Sequence, residues 1–348
     1  MSKRIDRNSS LELLRIISML FIVMNHYSGE EPWNMKGASL VNVISYQLYK
    51  PLGQVGVDIF VLITGYFLAS KVDSNYAISM KRASKVWLEV WFYSVVVFFA
   101  GSFYYGHFSV VNMVKGFLPI VFNNYWFATA YIILVLLAPF INKLLEKLSK
   151  REYIVLLIIT IFCGEVIPVI GNTTFSLDKG FGDILAVYLV GGYIRRYDIV
   201  TKKFHLIFAV IATYLFMLVS ILILWKIVGY EGNITRFTYR ILPFTMAISI
   251  FLIFVEIPSF TNKTINWFAS SVFATYLMTE NIYADKFIWT ELFNTTSYEN
   301  PLLISGFGLL IAVFLVIITV FVDKFRILLF NHLKLERRIH RIIDKIVF

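Results

Sequence analysis

The chain has 348 residues, of which 58% are hydrophobic, 17% aromatic and 16% charged, and its mean hydropathy is +0.73. A soluble domain averages about 25% charged residues, and several apolar runs here reach the roughly 20 residues that cross a bilayer. This excludes a soluble enzyme, a disordered chain and a collagen-like chain, and the runs are continuous rather than alternating, which argues against a β-barrel. The formal charge of +10 would suggest nucleic acid in a soluble protein, but most of the excess falls between apolar runs, so no nucleic-acid partner is expected.

The first apolar run extends from Leu11 to about Tyr27 after a basic start. It ends in Asn25-His26-Tyr27 with no small-residue cleavage site, so it reads as a retained span rather than a signal peptide. Further spans are predicted at about 54–70, 86–104, 126–141, 153–170, 182–194, 204–228, 239–255, 265–282 and 302–322, ten in all. The 182–194 run is short and bears glycine. Residues 108–122 are apolar but interrupted by Lys115, Gly116 and Pro119, and read as a re-entrant or interfacial piece. The single cysteine, Cys163, forms no internal disulfide and no structural zinc site. After Val322 the chain mixes Lys and Arg with Ile, Leu and Phe at helical spacing, the pattern of an amphipathic helix on an anionic leaflet. The predicted fold is therefore all-α, a polytopic membrane helical bundle of about ten spans over residues 1–322, with a basic amphipathic cytoplasmic tail over 323–348.

Ten spans put both termini on one side of the membrane. With the N-terminus inside, the inner segments hold 23 Lys and Arg residues and the outer ones 8, with Arg15 inside the first span. The positive-inside bias then predicts that both termini are cytoplasmic.

Charges within hydrocarbon are costly and mark candidate functional sites. Span 1 carries Glu12, Arg15 and His26, span 2 Asp58 and span 3 Glu89; Glu165, Asp183 and Glu280 lie nearer span ends. Arg15 and His26 are eleven positions apart. Eleven steps turn a helix about 20° beyond three full turns, so the two side chains share a face, roughly 16 Å apart along the axis. Small residues at 53, 56 and 65 permit close helix approach in span 2. Asp58 then needs a buried partner, and Arg15 or His26 is available.

These residues carry a resemblance. Leu11-Glu-Leu-Leu-Arg15 through His26 resembles the R-x10-H signature of the membrane acyltransferase-3 family. Gly56-Val-Asp-Ile-Phe60 and Thr64-Gly-Tyr66 are similar to its G-V-D-x-F and S-G-Y blocks, with Thr64 in place of serine. Tyr125-Trp126-Phe127 leading to Pro139 is similar to the W-F-L…P block of the polysaccharide-modifying branch, and Ser271-Val-Phe-Ala-Thr-Tyr-Leu-Met278 to its late S-F-G-x-Y-L-I block. The late block usually continues with a histidine; here Thr279 takes that place, followed by Glu280. The family's R-x-x-R before span 3 becomes Arg82 and Lys85, and lysine attracts phosphate without the bidentate fork.

The resemblance implies transfer of an acyl group, most often acetyl, from acyl-CoA to a sugar hydroxyl of a cell-surface or exopolysaccharide glycan, at a bacterial plasma membrane. Acyl-CoA enters as donor substrate; no bound cofactor and no metal are implied. The expected catalytic residues are His26, as general base or transient acyl carrier, Arg15, and Asp58, which orients or balances the site. Arg15, Arg82 and Lys85 are expected to hold the donor's phosphates or pantetheine, and Tyr66, Trp126 and Glu280 to contact substrate. A secondary transporter, a glycan polymerase and a structural component of a glycan-export machinery remain as alternatives.

Overall fold

The computed structural model describes residues 8–30, 33, 38–69, 75–170, 181–228, 240–296 and 298–347. Seven of the cations in the orientation count, Lys3, Arg4, Arg7, Lys36, Lys71, Lys179 and Arg236, lie outside the described residues. Among the described residues the regular structure is entirely helical. In chain order the helices are α1 (Ser9–Glu30), α2 (Leu40–Gln47), α3 (Leu52–Leu68), α4 (Tyr76–Tyr104), α5 (Val110–Phe117), α6 (Trp126–Lys147), α7 (Lys150–Ile161) and α8 (Ile167–Ile170). They continue with α9 (Phe181–Tyr197), α10 (Lys203–Val228), α11 (Ile241–Val255), α12 (Lys263–Ala269), α13 (Phe273–Thr279), α14 (Ile282–Lys286), α15 (Pro301–His332) and α16 (Leu335–Val347). Many starts are written locally: Ser39, Asn75, Ser109, Asn262 and Asn281 each accept a first-turn N–H, and Ser149 with Glu152 forms a reciprocal capping box.

Seven segments among the described residues are long and apolar enough to cross a bilayer: Ser9–Glu30, Leu40–Leu68, Tyr76–Tyr104, Trp126–Lys147, Lys150–Val169, Lys203–Ile227 and Pro301–His332. The other three expected spans differ. Residues 182–194 fall in α9, a helix of 17 residues, and 239–255 in α11, whose 15 residues cover about 22 Å against a hydrocarbon core of about 30 Å. The 265–282 run is broken into α12 and α13 by a turn at Ser270–Val272, with Ser271 and Val272 buried. Such a break is tolerated at membrane depth only where protein covers it. Residues 110–117 form the eight-residue α5, too short to span. The boundary expected at 322 falls inside α15, which continues unbroken to His332.

Contacts divide the chain into two units. The first comprises Met1–Ile63, Val200–Tyr276 and Ile288–Val320. In it the N-terminus of α1 is tied down by Ser9 and Ser10: the Ser9 N–H donates to Phe260 O and the Ser10 hydroxyl to Phe254 O, both at 2.9 Å. The buried Tyr27 donates to Ile304 O at 2.8 Å, and its ring meets Trp289 edge-on, centroids 6.1 Å apart.

The second unit comprises Thr64–Ile199, Leu277–Phe287 and Phe321–Phe348. Its centre is a polar relay between apolar helices. Asn142, three residues after the helix-interior Pro139, donates to Leu68 O at 2.8 Å and accepts from Tyr188 OH at 2.7 Å. Tyr153 donates to Leu189 O at 2.9 Å. Asn142, Tyr188 and Tyr153, all buried, thus each meet a partner, as burial requires.

Candidate active site

In α1 the run from Ser9 to Glu30 is uninterrupted, so Arg15 and His26 share a face as their spacing requires. His26 is buried and Arg15 half-buried. Arg15 Nη1 donates to both carboxylate oxygens of the buried Glu12, each at 3.0 Å. The sequence left Arg15 or His26 as the partner of Asp58; the carboxylate that Arg15 meets lies three residues back on the same helix, within direct reach, so α1 supplies its own counter-ion. Both bonds use Nη1, which leaves the Nη2 and Nε donors of the guanidinium for a ligand.

Small residues hold α3 against α1. A Cβ on Gly53 would meet Asn25 Cγ at 2.5 Å, and one on Gly56 would collide with the Ser18 carbonyl and lie 2.8 Å from Ile22 Cγ1. Residue 53 thus faces residue 25, and residue 56 faces 18–22, so the two helices run antiparallel. Asp58, two residues further on, reaches the level of the middle of α1, between Arg15 and His26. It is buried, and Gln54 Nε2 donates to its Oδ1 at 2.8 Å. Gln54 was not among the expected residues; its i,i+4 spacing to Asp58 is the signal that could have found it.

In the second unit, Tyr66 accepts a hydrogen bond from Arg195 Nη1 at 3.1 Å, and that guanidinium stacks 5.0 Å from the ring centroid. Thr64 lies 3.2 Å, oxygen to oxygen, from Tyr131 OH. Between them, a Cβ on Gly65 would collide with the Tyr188 carbonyl, so this block is a close-packing seam as well as a site candidate. On α4, Arg82 is half-buried and Lys85 is exposed, its Nζ 4.0 Å from Glu336 Oε1 on α16. Lys81 pairs with Asp344 on the same helix. Lys85, expected to meet donor phosphates, thus has an internal anionic partner.

Trp126 opens α6, half-buried, with its ring edge-on to Phe127 at 6.0 Å. The preceding Tyr125 is fully buried and accepts from Asn281 Nδ2 at 2.8 Å; burial pushes its phenol up to about 12, so it stays neutral. Glu280 lines a cavity of about 270 Å³ with Ser94, Asn112, Lys115, Asn124 and Tyr283.

The sequence reading named Glu89 but missed the cluster to which it belongs. Arg326, expected in a surface tail, is buried in α15: its Nε donates to Asp323 Oδ1 at 2.6 Å and its Nη2 lies 3.5 Å from Glu89 Oε1. Tyr93 OH donates to the same Asp323 oxygen at 2.9 Å. The i,i+3 spacing of Asp323 and Arg326, directly after an apolar run, was the available signal.

With these positions in hand, comparison with known proteins finds one family: the pattern described as an acyltransferase domain matches residues 8–322. The chain belongs to the acyltransferase-3 family. No curated protein and no solved structure matches it. Membership makes the chain a multi-pass membrane acyltransferase, and the match contains α1, α3 and every candidate site residue. It ends inside α15, one residue before Asp323. Among the described residues no three His, Cys, Asp or Glu side chains are grouped so as to hold a metal ion. For an acyltransferase-3 protein the chemistry available on α1 is an imidazole, which can move a proton near neutral pH, and a guanidinium whose Nη2 and Nε make no hydrogen bond among the described residues.

Proposed function

We propose that the chain transfers an acyl group, acetyl in the first instance, from acyl-CoA to a sugar hydroxyl of a cell-surface or exopolysaccharide glycan. It works in a bacterial plasma membrane with both termini cytoplasmic, the side favoured by the 23 to 8 division of Lys and Arg. In the reaction the thioester C–S bond breaks and an ester C–O bond forms. His26 takes up the acceptor's hydroxyl proton, directly or after carrying the acyl group itself, and the CoA thiolate is protonated. Arg15 offers its Nη2 and Nε donors to the donor's polar groups. Arg82 and Lys85 attract the phosphates at the basic start of α4, where the phosphates compete with Glu336 for Lys85. Asp58 balances charge beside α1, and Tyr66, Trp126 and Glu280 contact substrate.

The observation that carries this reading is the continuity of α1, which keeps Arg15 and His26 on one face within a family of acyltransferases. The test is mass spectrometry of surface glycans from cells with and without the gene. A mass difference of one acyl unit is expected, and its size names the acyl group. Identical glycans in the two strains would overturn the reading in favour of a transporter or a structural component.

A further inference from the structure

We propose that the cavity bounded by α4, α5 and residues 280–283 is a binding pocket for one pyranose ring of the glycan acceptor. This rests on the acceptor being a glycan, as proposed above.

The floor is closed and the mouth open. Ser94, Phe98 and Gly116 are buried, whereas Lys115, Asn124 and Ile282 are exposed. The walls are held in place before any ligand arrives. Asn124 Nδ2 donates to Lys115 O at 2.9 Å, Asn112 Nδ2 to Tyr283 OH at 3.1 Å, and Asn281 Nδ2 to Tyr125 OH at 2.8 Å. Each amide thus commits one N–H to the protein, and Asn112 and Asn124 keep a second N–H and the carbonyl oxygen to meet a ligand. Phe98 and Tyr283 meet edge-on at 6.0 Å and supply an aromatic wall.

That mixture suits a sugar. A pyranose presents hydroxyls around its rim and C–H groups on its faces. The amide oxygens and the Glu280 carboxylate accept from hydroxyls, the Lys115 ammonium donates to them, and the aromatic wall takes the C–H face. The volume, about 270 Å³, lies just below the ~300 Å³ at which pockets for larger small molecules begin. It admits a single ring and is too small for a nucleotide-bearing donor. The position is also apt: Phe98 lies sixteen residues beyond Arg82 on one continuous helix, which is about 24 Å of axial rise. The pocket and the basic donor end of α4 are therefore separated by most of a bilayer core.

The experiment uses the full chain in detergent, with saturation-transfer NMR to cellotriose and chitotriose, one neutral and one N-acetylated. Transfer to at least one trisaccharide is expected. Asn112→Trp, which fills the cavity from its rim, should abolish the signal. Lys115→Ala, at an exposed position that does not support the fold, should weaken binding by about tenfold, the worth of one charge-assisted hydrogen bond. A monodisperse elution profile and an unchanged melting temperature qualify each variant. Absence of transfer from the wild type to both sugars, or unchanged binding in both variants, overturns the pocket. Cleavage of acyl-CoA by the wild type, measured separately, judges the acyl-transfer reading: its absence sinks that reading whatever the sugars do.

Discussion

Arg15 and His26 differ in what surrounds them, and the difference sets their expected phenotypes. General acid–base help is worth roughly 10²–10⁴ in rate, so His26→Ala should leave little measurable glycan acylation. His26→Gln keeps hydrogen bonding without a titrating nitrogen and should be almost as inactive. His107, exposed beyond the end of α4, is the control, and His107→Ala should retain transfer. Acylation in a deletion strain at matched membrane levels checks this, and wild-type acylation by His26→Gln would remove the proton-transfer role. For Arg15 the relevant partner is Glu12. Arg15→Ala should abolish transfer while protein still reaches the membrane, and Arg15→Lys should keep part of it, since a charge remains. Glu12→Ala leaves a half-buried guanidinium without its counter-ion and should lower the detergent-stable yield. Asp58→Asn leaves the Arg15–Glu12 pair untouched, so an equal fall in yield for Asp58→Asn with none for Glu12→Ala would contradict the pairing.

At the scale of helices, two packing devices position these side chains. The α1–α3 seam depends on the absence of a Cβ at Gly56. Even Gly56→Ala places a carbon against the Ser18 carbonyl, and Gly56→Leu should splay the pair, with loss of both folded yield and transfer. The second device is the buried cluster of Glu89, Asp323 and Arg326 on α4 and α15. Two carboxylates share one guanidinium in a largely apolar setting, so removing the cation costs more than the bond it made. Arg326→Ala should destabilise by about 3–5 kcal/mol, the usual result of breaking a buried pair by deleting one partner. Arg326→Lys should recover part of the loss through its charge alone. Thermal unfolding in detergent measures both, and a melting temperature unchanged by Arg326→Ala would show that the cluster carries no structural weight.

For the molecule as a whole, the distribution of Lys and Arg predicts orientation. A reporter fused after Phe348 should be active only when it requires the cytoplasm, and one inserted near His107 only when it requires the outside. Activity of the first reporter outside would mean that the number of membrane crossings is odd. The shortness of α9 and α11 and the broken α12–α13 run make those elements the places to look. The docking of α16 on α4 through Lys81–Asp344 and Lys85–Glu336 places the end of the chain beside the basic residues proposed to attract the donor.

The sequence by itself determined the membrane class, the helical architecture, the shared face of Arg15 and His26 and the blocks that mark the acyltransferase-3 family. These are local quantities: hydropathy summed over one window, a rotation of 100° per residue, and motifs read along one strand of chain. What the tertiary structure alone decided were the partners. Glu12 meets Arg15, Glu336 meets Lys85, and Arg326 is buried against Glu89 rather than lying at a surface. The same holds for the turn at Ser270–Val272, inside a run whose hydropathy reads as one continuous span. Which charge answers another, and whether a helix may break, depend on the elements that close around the position. That is a contact between residues far apart in sequence, and no local window contains it.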